Sequence, residues 1–492
     1  MAIEYRALVI GRGTAWVAAV PGCLLAAVAL LAQLTADPAP GVSFSGSPWT
    51  DEGWSVLGAR NLVLLGTWVT DDLAMFLVQL PFNVTIAATF ELFGVGIVQA
   101  RAVSVVLSVG AVAMISMLLA RAFGRAAGVA GGLALASSAL FLYYGRLAYL
   151  EPMVGFLLVA GASLFLMPGG RGRIMIGVAA GACLALAIGT KPSAVVAVIG
   201  LLVGGVVAGG SGAAFLRWRG VAAAGVIAMA GIGWLLLIGL PQREAVETAF
   251  RFWPHQVMPD GIVGWVVRIG RYIRASDGAN TLALPLYLGA TVGLGLTAMR
   301  WRSLDPRQRA VIGAAVGWVV MGLLFIVVTA YRPNRYVVPL LPGLAILGGA
   351  GVAVALERWR GRRGARSLAG AVLVGLLVVP GLVLWTGWMA GATRALPGIQ
   401  EEIADIVGAG AAVEGGQAPV LAMRAPVPTI VSQAGNGMND GDLYADGVRW
   451  LVADETFVPA WADRHADAWA RRERIRCYRW GADMNECLIR VP

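Results

Sequence analysis

The run IMIGVAAGACLALAIGTKPSAVVAVIGLLVGGVVAG, residues 174–209, decides the fold class. It consists of two apolar stretches, 174–190 and 192–209, separated by a single charge, Lys191. A bilayer core about 30 Å thick is crossed by about 20 apolar residues of helix. Each stretch therefore has crossing length, and Lys191 falls at the membrane boundary between them. A lysine there can snorkel to the interface or face a cavity as a point charge for a phosphate. Every other basic residue of the chain is arginine, so an interface lysine departs from this protein's habit.

Outward from this pair the pattern repeats. The 492 residues are 58% hydrophobic and 13% charged, with a mean hydropathy of +0.74. Soluble domains carry about 25% charged residues, so the composition is that of an integral membrane protein. Apolar stretches of this kind stand near 14–34, 102–120, 127–143, 149–167, 174–190, 192–209, 221–240, 281–299, 310–330, 337–355 and 368–390. They predict an α-helical polytopic membrane protein with about eleven transmembrane helices. The arginine groups are Arg6/Arg12, Arg121/Arg125, Arg171/Arg173, Arg217/Arg219, Arg300/Arg302/Arg307/Arg309 and Arg358 to Arg366. All fall on connections of one parity, which the positive-inside rule assigns to the cytoplasm. A cytoplasmic N-terminus, a retained signal anchor as first span and an extracytoplasmic C-terminal region follow, with the plasma membrane as the expected location. The net charge of +10 is accounted for by these loops and gives no ground for a nucleic-acid partner.

The opposite face then carries the informative charges. A long loop, 35–101, holds Ser47-Pro48-Trp49-Thr50-Asp51-Glu52-Gly53-Trp54. Thr50 or Asp51 can open a helix as its N-cap, with the acids favourable at its positive end; a carboxylate beside apolar surface can equally act as general base. Asp51 to Leu65, and a second apolar segment within 72–93, read as helices lying along the outer interface. A tight corner, Tyr143 to Glu151, brings Arg146 and Glu151, which can pair with each other or line the same site as Asp51. A third loop carries Phe252-Trp253-Pro254-His255, where His255 reads as interfacial packing. Tyr331-Arg332-Pro333-Asn334-Arg335-Tyr336 puts two arginines on the outside, against the trend, suited to lipid headgroups or to a phosphate.

The division expected is a membrane domain over 1–395 and a small extracytoplasmic α/β domain over 396–492. In the latter a helix near 399–408 precedes strand-like runs at Val420-Leu421-Ala422-Met423 and Val448 to Ala453, and a charged helix at 460–473 follows. Cys477 and Cys487 flank a hairpin, and a disulfide there suits an oxidising compartment; Cys23 and Cys183 read as small core residues. No cluster has metal-ligand spacing.

These motifs, in this order, resemble the membrane glycosyltransferases of the GT-C type, in the branch of the protein O-mannosyltransferases and the aminoarabinose transferase of lipid A. The similar stretches are Asp51-Glu52-Gly53-Trp54, Phe90-Glu91-Leu92-Phe93-Gly94 with Arg101, and Leu142-Tyr143-Tyr144-Gly145-Arg146 through Glu151-Pro152. Thr190-Lys191-Pro192 and Arg335-Tyr336-Val337-Val338-Pro339-Leu340-Leu341-Pro342 complete the set, which covers about residues 1–355. The resemblance implies transfer of a sugar from a polyprenyl-phosphate carrier to an acceptor hydroxyl on the outer face, the acceptor being a glycan, glycolipid or protein in cell-envelope assembly. Asp51 would be the base and Glu52 its support. Lys191 and Arg335, with Arg332 and Tyr336 beside them, would hold the donor phosphate, while Arg146 and Glu151 would shape the sugar pocket. Many relatives carry a Lys-Pro-Pro segment where this chain has Thr70-Asp71-Asp72-Leu73, which removes one expected phosphate contact. The donor carries its own leaving group, so no cofactor is required, and a bound divalent cation is left open. One base and one displacement predict inversion at the anomeric carbon. The rival readings are a transporter or flippase of lipid-linked sugars, for which repeated halves and broken midplane helices are wanting here, and a non-catalytic assembly partner.

Overall fold

The computed structural model describes residues 15–38, 51–68, 75–167, 173–251, 261, 263–265, 267, 279–329, 333–359, 361–431, 447–454, 466–481 and 484–492. Arg332, His255 and the 70–73 segment lie outside the described residues. Helices dominate: α1 (Val20–Leu31), α2 (Glu52–Leu65), α3 (Leu80–Phe93), α4 (Ile97–Phe123), α5 (Arg125–Ala136), α6 (Ala139–Gly145), α7 (Leu150–Phe165), α8 (Arg173–Thr190) and α9 (Ala194–Gly209) form the first half. The second half holds α10 (Phe215–Trp234), α11 (Arg243–Arg251), α12 (Ala279–Met299), α13 (Pro306–Val328), α14 (Leu341–Leu356), α15 (Arg363–Met389) and α16 (Leu396–Val407).

Among the described residues each of the eleven apolar stretches contains helix, but they do not form eleven equal spans. Among the described residues five helices are long and apolar enough to cross a membrane, and α5 with α6, bent by 65° between them, makes a sixth. The remaining stretches give shorter apolar helices such as α7, α8 and α9. The crossing windows of α10 and α15 are apolar yet only 6% buried, as expected of surfaces that meet lipid tails. Close approach between α9 and α13 is made by glycine: a Cβ on Gly204 would stand 2.1 Å from the Gly313 carbonyl oxygen.

The arginine pattern has a structural counterpart. Arg307 donates to the Arg121 carbonyl (3.0 Å), and Arg219 donates to the Phe165 carbonyl (3.0 Å), closing off the C-terminal carbonyls of α4 and α7. These ends lie opposite the ends that carry Arg101 and Glu151. Over the 27 residues of α4 that separation amounts to about 40 Å at 1.5 Å per residue.

Two expectations are corrected here. α2 does not lie on a lipid interface: nine of its residues, from Glu52 to Asn61, are buried. The C-terminal region covers it so closely that a Cβ on Gly53 would sit 2.4 Å from the Val420 nitrogen. The helix ends at Gly66, which adopts φ 71°, a conformation open to glycine at little steric cost. Val420 to Met423 is not a strand but the end of a short helix, α17 (Ala418–Leu421), started by Pro419 in its first turn.

The C-terminal region builds a five-stranded mixed sheet from β1 (Ala412–Glu414), β2 (Thr429–Ile430), β3 (Val448–Asp454), β4 (Glu473–Trp480) and β5 (Met484–Arg490), in the order β2-β1-β3-β5-β4. Of the charged helix expected at 460–473, the described residues show α18 (Ala466–Ala470), and β4 begins at Glu473. β4 and β5 pair antiparallel with Cys477 opposite Cys487, and the two form a disulfide. One sheet face contributes Val413, Val452, Tyr478, Trp480 and Leu488 to the same apolar cluster as the helices. Ile430, Leu451, Cys487 and Ile489 build a smaller cluster of their own.

Candidate active site

Asp51 and Glu52 open α2 and part company at once. Glu52 points inward with no exposed surface. Its carboxylate takes two parallel hydrogen bonds from Arg101 of α4, Nε to Oε1 and Nη2 to Oε2, each 2.7 Å. The Ala148 N–H donates to Oε1 at 2.8 Å. Arg101 spends its remaining Nη1 donors on the carbonyls of Leu34 (3.0 Å) and Ala36 (2.9 Å). Burial raises the Glu52 pKa, but the Arg101 guanidinium, the Ala148 N–H and the more distant Arg146 outweigh it and hold the carboxyl below its ordinary range. Glu52 thereby ties the start of α2 to α4 and to the 146–149 corner.

Asp51, at the N-cap position of α2, stays partly exposed, its side chain at 27%. Its backbone N–H donates to the Tyr149 hydroxyl at 3.1 Å, and its carboxylate forms an ion pair with Arg335. Arg335 belongs to the 3-10 turn Asn334–Leu340, which leads into α14. From Arg335 the contacts run on: its Nε lies 3.5 Å from Glu151 Oε1, and the same oxygen accepts from Lys191 Nζ at 2.5 Å. Asp51, Arg335, Glu151 and Lys191 thus alternate in sign along one line. Two aromatic rings flank it, Tyr336 with Lys191 Nζ 4.1 Å from its centroid and Tyr149 with the Arg335 guanidinium carbon at 5.6 Å.

Local sequence explains this convergence. α7 begins at Leu150, so Glu151 sits in its first turn, where an acid meets the positive end of the helix. Lys191 occupies the break between α8 and α9, immediately before Pro192. The four charges come from four separate elements, and none of their helices would hold them together alone.

The other sequence candidates fall elsewhere. Arg146 and Glu151 do not pair, because Glu151 is engaged by Lys191 and Arg335. Arg146 is fully buried and donates to the carbonyls of Gln33 (3.3 Å), Ala36 and Asp37 (3.0 Å), between the rings of Tyr143 and Trp388. It ties the exit of α1 to the Tyr143–Tyr149 corner and presents no surface to a sugar. Among the described residues no three His, Cys, Asp or Glu side chains gather as a metal-ligand set.

Two structural residues carry no sequence motif. Arg60 of α2 is buried and donates to the carbonyls of Met423 (3.0 Å), Ala422 (3.3 Å), Val427 (2.8 Å) and Ala425, and to Asn61 Oδ1 at 2.8 Å. Burial lowers its pKa from the ordinary value, and the surrounding carbonyls take up the guanidinium's donors so that it keeps its proton. Asp37 accepts from the N–H groups of Ala395 (2.9 Å) and Leu396 (3.0 Å) and from the Thr393 hydroxyl (2.7 Å), holding the entry of α16. A lone arginine inside an otherwise apolar helix was the available signal for Arg60.

Comparison with known proteins agrees with this architecture. Residues 81–236 match the protein family described as dolichyl-phosphate-mannose-protein mannosyltransferase. No curated protein matches the sequence. Among solved structures, ArnT from Cupriavidus metallidurans bound to undecaprenyl phosphate is similar at TM-score 0.64 and 17% identity, covering 97% of this chain and 98% of that one. AglB, the oligosaccharyltransferase of Archaeoglobus fulgidus, in complex with an inhibitory peptide and a dolichol-phosphate, is similar at TM-score 0.52 and 12% identity, over 89% of this chain and 69% of that one. The arabinofuranosyltransferase AftD from Mycobacteria is similar at TM-score 0.53 and 14% identity, over 98% of this chain and 40% of that one. The chain has the fold of the GT-C type membrane glycosyltransferases, as its motifs implied.

Proposed function

We propose that this protein is an inverting glycosyltransferase that moves a sugar from a polyprenyl-phosphate carrier to an acceptor hydroxyl at the extracytoplasmic face of the plasma membrane. The observation that carries this reading is the convergence of a partly exposed carboxylate, Asp51, with two cations, Lys191 and Arg335, at one end of a GT-C-type helical bundle. Relatives of this fold are seen with undecaprenyl phosphate and dolichol-phosphate, and the two cations here suit such a phosphate.

In the reaction, Asp51 takes the proton of the acceptor hydroxyl as its oxygen attacks the anomeric carbon. The bond from that carbon to the phosphate oxygen breaks, and the polyprenyl phosphate leaves with the electron pair. Lys191 and Arg335 neutralise the charge that develops on it. Glu52 supports the base by fixing the first turn of α2, and Tyr336 packs against Lys191. No cofactor is required by this scheme, because the donor already carries a leaving group. The N-terminus would be cytoplasmic. The 396–492 domain would be extracytoplasmic and sit above the membrane domain 1–395.

The deciding experiment is Asp51→Asn in membranes supplied with polyprenyl-phosphate sugars. Loss of a positioned general base is expected to lower transfer about 10²–10⁴-fold, with binding of the polyprenyl phosphate retained. Unchanged transfer would remove Asp51 from the mechanism. The anomeric configuration of the product, read by NMR, should be inverted relative to the donor; a retained product would rule out the single displacement.

A further inference from the structure

Glu151 is an odd neighbour for a phosphate. It is 1% exposed and stands between Lys191 and Arg335, with one oxygen, Oε1, serving both. A carboxylate in that place repels the anion that the two cations would attract, so its presence calls for an offsetting gain.

The surroundings of Lys191 supply one. Its side chain is 11% exposed, at the junction of α8 and α9. The charged or titratable groups facing it are Glu151 from α7, Arg335 and Tyr336 from the 3-10 turn, and Asp51 from the start of α2. Burial disfavours the ammonium form, Glu151 favours it, and Arg335 disfavours it again. An arginine in the same place would stay charged unaided, because a guanidinium is effectively never deprotonated in proteins. The chain's single lysine is therefore the cation here whose charge depends on a partner. Glu151 is that partner by contact, and it lies between the two cations, which would otherwise repel each other, and closer to Lys191.

We propose that Glu151 is a positioning residue that holds Lys191 in its charged form and spaces it from Arg335, so that a lipid-borne phosphate meets two cations across the neutral and mildly alkaline range. This rests on the donor reading given above. Glu151 itself need not touch the phosphate.

The test is binding of a polyprenyl phosphate to the purified full-length protein in detergent, followed from about pH 7 to about pH 9.5, above the second ionisation of a phosphate monoester at about 6. Wild-type binding should be nearly flat over this range. Glu151→Gln should bind at the acid end and lose affinity as pH rises, by up to about tenfold per pH unit once the ammonium is no longer the favoured form. Adding Lys191→Arg to Glu151→Gln should restore a flat profile, since the guanidinium keeps its proton. A purely structural role for Glu151 would lower binding at every pH alike.

A flat Glu151→Gln profile overturns the inference, as does tighter binding by that variant at all pH, or an alkaline loss that persists in the double variant. If Glu151→Gln does not fold, Glu151→Asp serves instead: it keeps the charge and should stay flat, and an alkaline loss there is equally fatal. Wild-type protein that binds no polyprenyl phosphate at any pH overturns the donor reading and this inference with it. Wild-type binding beside a flat Glu151→Gln profile overturns this inference alone.

Discussion

Asp51 and Glu52 show how adjacent residues of one type acquire opposite tasks. Successive side chains at a helix start diverge by about 100°, so one carboxylate enters the interior while its neighbour remains at the site. Glu52 is matched by Arg101 through two 2.7 Å bonds, both side chains being fully buried. Removing one partner of such a pair leaves an uncompensated charge. Arg101→Met is expected to destabilise the protein by about 3–5 kcal/mol, read as a lowered unfolding temperature in detergent, whereas Lys191→Met, with its partly exposed side chain, should cost less. The pH dependence follows from the depressed Glu52 pKa. The pair's contribution is present above the ordinary carboxylate pKa and disappears only as pH falls through the lower folded value. Arg101→Met should therefore remove most of its stability at neutral pH and little at strongly acidic pH.

At the scale of elements, α2 links the two parts of the molecule. Its N-terminus is tied to α4 by Glu52, and its middle to the C-terminal region by Arg60. The Trp54 indole adds a hydrogen bond of 2.9 Å to the Gly416 carbonyl. The reading of Asp51 to Leu65 as an interfacial helix gave its extent, but not its environment. An apolar face suits lipid and protein alike, and only packing distinguishes them. In the sheet, Glu486 of β5 faces Asp454 of β3 and is buried, which pushes its pKa up to about 7. The folded form thus retains a proton that the unfolded chain gives up above its ordinary 4.5. Stability from this group is complete below that value and is lost as pH rises through about 7. Glu486→Gln is expected to stabilise the C-terminal sheet by about 1–3 kcal/mol at pH 8, with little effect near pH 4, as measured by thermal unfolding at the two pH values.

At the scale of the whole molecule, the arginine-bearing helix ends and the site lie at opposite ends of the bundle, as Arg307, Arg219 and Arg121 show on one side and Lys191, Glu151 and Arg335 on the other. On the orientation proposed from the positive-inside rule, the first end would be cytoplasmic. A cysteine placed at the exposed Ser211, between α9 and α10, should then react with a membrane-impermeant thiol reagent only after permeabilisation. One placed at Ala409, beyond α16, should react in intact cells. The reverse pattern would put the site inside and remove the extracytoplasmic reading.

Much of this protein was legible in the sequence because hydropathy acts locally. The apolar stretches, the arginine groups between them and the ordered motifs each depend on neighbours along the chain, and among the described residues they correspond to helices, helix ends and site elements. Pairing was not legible, because it depends on which elements meet. Arg146 looked like the partner of Glu151 five residues away, yet the α7 start turns Glu151 toward Lys191 and Arg335 while Arg146 is bound by the carbonyls that follow α1. Val420 to Met423 has strand-like composition, but Pro419 and the carbonyl-collecting Arg60 make it the end of a short helix. The sequence by itself determined that charges sit at one end of a membrane bundle around Asp51. The tertiary structure alone decided that Asp51, Arg335, Glu151 and Lys191 alternate there, since buried charges are stable only where an opposite charge from another element reaches them.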